Sequence, residues 1–188
     1  MRTLWLVRHA TPLIETGTCY GSLDVAADPA DTETAAEALT PLLPPRAVLV
    51  CSPLQRCRQL AAALVRRRPD AAVEQDSRLA EMHFGTWEGR RWSDLGAAAL
   101  DAWTADFAHH APGGGETVED FIARVAAAVD ALPGGDTVWI THAGVIRAAG
   151  LIAAGRHDNP SAGDWPRQTI AFGSCLRLPL HQRWDRPA

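Results

Sequence analysis

Residues 4–10, LWLVRHA, and residues 138–144, VWITHAG, are two short apolar runs that each lead to a histidine with a small residue behind it. Each run is brief, rich in β-branched or aromatic residues and followed by a break, and this pattern predicts a buried β-strand. If the two strands are neighbours in one parallel sheet, His9 and His142 both lie at its carboxyl edge, where open α/β sheets bind their ligands. Arg8 directly precedes the first histidine, so the pair indicates chemistry on an anion.

Strand and helix patterns alternate along the rest of the chain. Further strands are predicted at residues 47–51, 72–74 and 170–178, and helices at residues 31–43, 52–68, 94–107, 117–132 and 145–154. Ser52 is the expected N-cap of the second helix and Thr117 that of the fourth, while the glycines at 113–115 are expected to form a flexible rim. The alternation predicts a three-layer α/β/α fold with a mainly parallel central sheet, and 188 residues fit one domain spanning residues 1–188.

The composition argues against several classes of partner. A formal net charge of −4 gives no general attraction to nucleic acid or to an acidic membrane surface. No apolar segment approaches the ~20 residues of a membrane helix, and the first run is too short for a signal peptide. The four cysteines have no C-x-x-C spacing and are expected to be reduced, with Cys51 and Cys57 buried. We therefore expect a cytoplasmic protein, and the many alanines with no lysine suggest a bacterium with a GC-rich genome.

Polar side chains follow the predicted strands or lie in the loops between them, and a parallel sheet brings such positions to one edge. Two arginines, Arg8 and Arg56, together with the two histidines suit a dianionic phosphoryl group, because charge-assisted hydrogen bonds contribute roughly 1.5–3 kcal/mol each. Arg56 also lies in the first turns of a predicted helix, whose N-terminus favours anions. These residues predict a phosphate pocket.

A histidine can attack phosphorus and divide one difficult displacement into two easier steps, and the ordinary histidine pKa of ~6.5 leaves His9 neutral near pH 7. The two arginines and a protonated or hydrogen-donating His142 would offset the charge on the equatorial oxygens. The leaving oxygen needs a proton, which a carboxylic acid at Glu81 can give before the same carboxylate activates water. Glu88 is a second candidate for this acid.

These motifs resemble those of the histidine phosphatase superfamily, the phosphoglycerate-mutase-like group, and they occur in its order. They are residues 7–10 (VRHA), 51–56 (CSPLQR), 79–81 (LAE) with 84–89 (FGTWEG), and 141–144 (THAG). The resemblance implies the histidine phosphatase fold and makes His9 the phosphorylated nucleophile. It also implies that Arg8, Arg56 and His142 hold the phosphoryl group, and that Glu81 donates the proton.

A finer resemblance concerns the substrate. Residues 17–21 (GTCYG) and the FGTWEG segment are similar to the subgroup of alpha-ribazole phosphatases. The resemblance implies alpha-ribazole phosphate as the substrate. Together with the THAG motif it adds Tyr20, Gly21 and Ala143 to the substrate-binding residues.

Three positions depart from the family pattern. Ala10 replaces the usual glycine after the histidine, Glu15 replaces an asparagine that binds phosphate in many members, and His83 replaces an aspartate common in the subgroup. Glu15 would repel phosphate if it pointed inward, so either the loop turns it outward or the pocket differs. These differences leave the substrate open, and Trp87 and Trp92 are candidates for the wall of its pocket.

Three other functions compete with a phosphatase. They are phosphoglycerate mutase-type phosphoryl transfer, a non-catalytic phosphate-binding module, and a metal hydrolase with His9, His142 and Glu81 as ligands. Two arginines would repel a cation, the chain has no H-x-x-x-H spacing, and it is short for a mutase. We expect a metal-independent phosphomonoesterase that acts on a small-molecule phosphomonoester without a cofactor, and the oligomeric state stays open.

Overall fold

The structure is a computed structural model that describes residues 2–180. Its α-helices in that range are α1 (Pro29–Leu39), α2 (Gln55–Arg67), α3 (Ala97–Ala105), α4 (Val118–Asp130) and α5 (Ala143–Ala153). Its strands are β1 (Arg2–Arg8), β2 (Val48–Cys51), β3 (Val73–Gln75), β4 (Thr137–Thr141) and β5 (Cys175–Leu180). They form one sheet in the order β3-β2-β4-β1-β5, in which β5 runs antiparallel to β1 and the other pairs are parallel. The predicted mainly parallel sheet is confirmed.

Helices cover both faces of the sheet. Alternate residues of a strand point to opposite faces, so an apolar strand offers each layer of helices a surface to pack against. On one face Leu4, Leu6 and Trp139 pack against apolar residues of α4 and α5. On the other face Val7 and Ile140 pack against α1 and α2. The predicted three layers are therefore present, and β1 and β4 form a platform buried on both sides.

Ser52 is not the N-cap of α2, contrary to the sequence prediction. The helix begins at Gln55 after Leu54, and no side chain caps it. The Ser52 hydroxyl lies instead 2.8 Å from Nε2 of His142, so it is used across the edge of the sheet. The prediction for Thr117 is confirmed, because its side chain accepts a hydrogen bond from a backbone N–H in the first turn of α4.

The last strand starts later than predicted, at Cys175 rather than near residue 170. Residues 170–174, which precede β5, lie outside the sheet and pass beside the end of β1, where Gly173 N donates to His9 O at 3.1 Å. Gly173 has a φ of +67°, a conformation that glycine adopts without steric cost. This detour carries Phe172 over the predicted site.

The glycines at 113–115 have a different role from the flexible rim that the sequence predicted. A Cβ at Gly115 would lie 2.1 Å from the carbonyl oxygen of His83, and one at Gly113 would lie 2.3 Å from that of Phe84. Only glycine lets the two backbones approach in this way. The contact braces the segment that follows Glu81.

The thiols behave as predicted. Cys51 and Cys57 are buried, and all four cysteines are free. Burial raises the pKa of the thiols of both residues, which keeps them protonated and unreactive near neutral pH. Across residues 2–180 no helix is long and apolar enough to cross a membrane.

Candidate active site

The two strand-ending histidines lie side by side, as the sequence predicts. Strands β1 and β4 are parallel neighbours, and their register pairs Arg8 with Thr141. The residue that follows each strand is a histidine, His9 after β1 and His142 after β4. The backbone N–H of His9 donates to the carbonyl oxygen of Thr141 at 3.0 Å. The centres of the His9 and His142 rings are 5.2 Å apart, and both residues are buried.

His9 is held in one tautomer. Its Nδ1 lies 2.7 Å from the carbonyl oxygen of Ala10. Because a carbonyl only accepts hydrogen bonds, Nδ1 carries the proton and Nε2 keeps its lone pair. Burial, with the positive charges of Arg56 and Arg8, lowers the pKa of His9 to about 3. The imidazole is therefore neutral near pH 7, as a nucleophile must be.

His142 is the residue before the first turn of α5. Its Nε2 lies 2.8 Å from Ser52 Oγ and 3.4 Å from Cys57 Sγ. Burial, followed by the positive charge of Arg56, lowers the pKa of His142 well below its usual value. Of the two forms considered from the sequence, this environment favours the neutral, hydrogen-donating His142 over the protonated one.

Arg56 is a buried cation that forms no ion pair within residues 2–180. It is 0% exposed, and its guanidinium donates to the carbonyl oxygens of Gly21 (2.7 Å) and Leu23 (2.8 Å). Its Nε has no hydrogen-bond partner, and none of the carboxylates in the described range forms an ion pair with it. Burying an unpaired charge destabilises the folded protein by roughly several kcal/mol, and a bound anion would offset most of that cost.

Arg8 is held by a segment that the sequence reasoning did not connect with the site. Its guanidinium donates to the carbonyl oxygen of Ile170, and its Cζ lies 3.7 Å from the centre of the Phe172 ring. The same ring lies 5.5 Å from that of His9, although Phe172 is 40% exposed. A lone phenylalanine in an apparent strand carries no signal of this role, because only the detour at residues 170–174 brings it here.

Glu81 reaches the same place from the loop after β3. Its Oε2 accepts a hydrogen bond from Gly144 N at 2.9 Å, and its Oε1 accepts one from Met82 N at 3.1 Å. Gly144 lies in the first turn of α5, immediately after His142 and Ala143. The carboxyl group is therefore held at the start of α5, and Glu81 lines the same cavity as His9.

Glu88, the second candidate for the acid, is used elsewhere. Its carboxylate accepts hydrogen bonds from the backbone N–H and hydroxyl of Ser22, and from the backbone N–H groups of Leu23 and Phe84. Four donors occupy its oxygens and tie two loops together. The structure therefore gives Glu88 a structural role in the mouth of the site.

A cavity of about 150 Å³ joins these groups. It is lined by Arg8, His9, Thr18, Tyr20, Gly21, Glu81, Phe84 and Trp92. Trp92 thus forms part of the wall, whereas Trp87 is buried behind it, with the two rings edge-on at 6.3 Å. Arg56, His142 and Ala143 stand just behind the lining. Ala143 offers a backbone N–H at the start of α5, where donors lack an intrahelical partner.

A larger cavity, of about 620 Å³, lies beside β2 and β3. Three charged residues line it, Glu74, Asp76 and Arg78, of which the last two are paired at 2.7 Å, and no histidine lines it. His9, Glu81 and Arg8 all line the smaller cavity, which is therefore the candidate active site.

The departures from the family pattern lie at the edges of the site. Glu15 is exposed and pairs with Arg91, so the loop turns its charge away from the phosphate pocket. His83 is exposed, and its backbone pairs with Glu116. Ala10 is buried and supplies the carbonyl oxygen that orients His9. None of the three places a negative charge against the anion.

Among residues 2–180, no group of three or more His, Cys, Asp or Glu side chains is arranged to hold a metal ion. His9 and Glu81, two of the ligands considered from the sequence, share the cavity with Arg8, whose positive charge opposes a bound cation. The donor set and the charge therefore fit an anion better than a metal ion.

Comparisons with known proteins agree with this geometry. A family model described as the histidine phosphatase superfamily (branch 1) matches residues 4–162. A glucosyl-3-phosphoglycerate phosphatase of Mycolicibacterium vanbaalenii is 34% identical over 201 residues, covering 98% of this chain and 87% of that protein. The native structure of a mycobacterial glucosyl-3-phosphoglycerate phosphatase has a TM-score of 0.77 at 27% identity, covering 94% and 89% of the two chains. A phosphoglycerate mutase from Thermus thermophilus has a TM-score of 0.72 at 29% identity, covering 94% and 92%.

Proposed function

Because the chain belongs to the histidine phosphatase superfamily (branch 1), we propose that it is a metal-independent phosphomonoesterase that forms a phosphohistidine at His9. One observation carries the proposal: the buried guanidinium of Arg56 forms no ion pair with any carboxylate of the described residues, and its charge acts on the imidazole of His9. A phosphate group in the cavity would bring a full negative charge close to this guanidinium. It also places phosphorus beside the lone pair of Nε2.

In the first step, the Nε2 lone pair of His9 forms a bond to phosphorus while the bond from phosphorus to the ester oxygen breaks. Glu81, as the neutral acid, gives its proton to the departing oxygen, and the alcohol leaves. Arg8 and Arg56 offset the charge on the equatorial oxygens, and His142 donates one neutral hydrogen bond. The backbone N–H of Ala143, at the N-terminus of α5, adds a further donor.

In the second step, the Glu81 carboxylate takes a proton from a water molecule as the water oxygen bonds to phosphorus. The bond between phosphorus and Nε2 breaks, so inorganic phosphate leaves and His9 returns to its neutral form. Glu81 ends protonated, ready for the next turnover. Nδ1 keeps its proton and donates it in a hydrogen bond to the Ala10 carbonyl oxygen throughout, so Nε2 is the atom that forms and breaks the bond to phosphorus.

We propose a small phosphomonoester as the substrate, with its leaving group against Tyr20, Phe84 and Trp92. Two substrates compete: the name of the 34% identical relative supports glucosyl-3-phosphoglycerate, while the GTCYG and FGTWEG segments support alpha-ribazole phosphate. Phosphoglycerate mutase-type transfer is the second candidate function, favoured by the likeness to the Thermus thermophilus structure. A mutase would return an isomer of its substrate rather than inorganic phosphate.

The test is phosphate release by the purified protein in EDTA, measured with glucosyl-3-phosphoglycerate, alpha-ribazole phosphate, 3-phosphoglycerate and p-nitrophenyl phosphate. We expect turnover that the chelator does not reduce and that His9→Gln abolishes. His109→Gln, which replaces an exposed histidine, is the matched control and should keep full activity. Turnover that requires a metal, or that survives in His9→Gln, would overturn the proposal, and isomerisation of 3-phosphoglycerate without phosphate release would favour the mutase.

A further inference from the structure

We propose that Gly144 is a positioning residue for proton transfer, because its lack of a side chain leaves the space that the Glu81 carboxyl group occupies in the cavity it shares with His9. The inference rests on the proposed function, since it takes Glu81 to be the proton donor to the leaving group. Gly144 itself touches neither the phosphoryl group nor the alcohol. It acts through the carboxyl group of Glu81.

The contact between the two residues is close at both ends of the carboxyl group. Gly144 N donates to Oε2 of Glu81 at 2.9 Å. A Cβ built on Gly144 would lie 2.2 Å from Oε1 and 2.9 Å from Cδ of the same side chain. The φ of Gly144 is not positive, so the position needs glycine for space and not for backbone conformation. Any side chain there would therefore displace the acid.

The backbone of Glu81 cannot easily move to accommodate such a change. Arg124, on α4, donates to the carbonyl oxygens of Arg78 and Ala80 at 2.7 Å and to that of Glu81 at 3.2 Å. Its guanidinium is itself fixed by the carboxylate of Glu116, with N···O distances of 2.6 and 2.9 Å. The strain introduced at Gly144 must then fall on the side-chain torsions of Glu81, which set where its proton points.

The size of the expected effect follows from these distances. Ordinary contact with a Cβ begins near 3.4 Å, so Oε1 at 2.2 Å would have to retreat by more than 1 Å. A proton donor works only within hydrogen-bond reach of its acceptor, and a misplacement of about 1 Å costs on the order of 100-fold in rate. The loss should fall on esters whose leaving oxygen needs a proton, and not on esters with a stabilised leaving anion.

The experiment compares Gly144→Ala with Gly150→Ala, a glycine on the same helix whose added Cβ would meet no atom within 4 Å. We measure kcat/KM, which reports the steps through departure of the leaving group, with an alkyl phosphate and with p-nitrophenyl phosphate. In Gly144→Ala we expect a loss on the order of 100-fold with the alkyl ester but less than about threefold with the aryl ester. Gly150→Ala should match the wild type with both.

A second variant tests whether the loss acts through Glu81. Glu81→Asp withdraws the carboxyl group by one methylene and should slow the alkyl ester in the wild-type background. In the Gly144→Ala background the shorter side chain no longer meets the added methyl, so we expect Glu81→Asp to cost less than about threefold or to restore rate. A merely structural defect at residue 144 would give additive losses and no dependence on the leaving group.

The outcomes separate this inference from the function on which it rests. No phosphate release by the wild type would remove the proposed function and this inference with it. Leaving-group dependence in Glu81→Gln but not in Gly144→Ala would overturn the role of Gly144 alone. A crystal structure of Gly144→Ala with Oε2 of Glu81 still 2.9 Å from the backbone nitrogen of residue 144 would overturn it independently of any assay.

Discussion

The buried, neutral state of His9 should make the stability of the protein depend on pH in a measurable way. The pKa of His9 is about 3 in the folded chain and 6.5 for an ordinary histidine in the unfolded chain. Between those two values the unfolded chain binds the extra proton, so the free energy of unfolding falls as the pH drops below 6.5 and is fully retained above it. At pH 5 the cost from His9 is about 2 kcal/mol relative to pH 7.

The assay is urea unfolding of the wild type and of His9→Gln at pH 7, 6 and 5, followed by tryptophan fluorescence. Other ionisable groups, including His142, whose pKa is also lowered, contribute to both proteins. The difference between the two proteins therefore isolates His9, and we expect the wild type to lose about 2 kcal/mol more than the variant from pH 7 to pH 5. Equal losses in the two proteins would refute the buried, neutral His9.

Three further variants test other parts of the site. Arg56→Met should abolish the rise in Tm that inorganic phosphate causes in the wild type, and it should lower kcat/KM by more than about 100-fold. A rise in Tm equal to that of the wild type would contradict an anion site at Arg56. Trp92→Ala should raise KM for p-nitrophenyl phosphate by up to about tenfold, because the aromatic leaving group loses its contact with the indole. The kcat/KM for glycerol phosphate should stay within about threefold of the wild type. Equal effects on the two substrates would contradict a contact between Trp92 and the leaving group. Glu88→Gln should lower the urea unfolding free energy by about 1.5–3 kcal/mol without any leaving-group dependence of kcat/KM, whereas such a dependence would make Glu88 a candidate acid again.

The central part of the fold could be predicted because its signals are local. The runs before His9 and His142 are short and apolar, and such runs form strands buried on both faces, as β1 and β4 are. Two neighbouring parallel strands that are each followed by a histidine place both histidines at the same edge of the sheet. The proximity of His9 and His142 could therefore be predicted from the sequence. The cap at Thr117 is equally local, since its partner is in the next turn of the chain.

The missed features depend on contacts between distant segments. Ser52 resembles a helix cap until His142 is seen beside its hydroxyl, and the role of Phe172 needs a detour that an apolar run does not indicate. Gly144 resembles any other helix glycine, because the space it leaves for Glu81 exists only after the loop that carries Glu81 has packed against the start of α5. Those contacts are set by tertiary packing, which local periodicity does not report.

The most direct test of the proposed chemistry is rapid-quench trapping of the phosphoenzyme with a labelled aryl phosphate, followed by mapping of the labelled residue. We expect an acid-labile, base-stable phosphoryl group on His9, at up to one per chain, formed within the first turnover and absent from His9→Gln. Label on any other residue, or full turnover by His9→Gln, would contradict a phosphohistidine at His9.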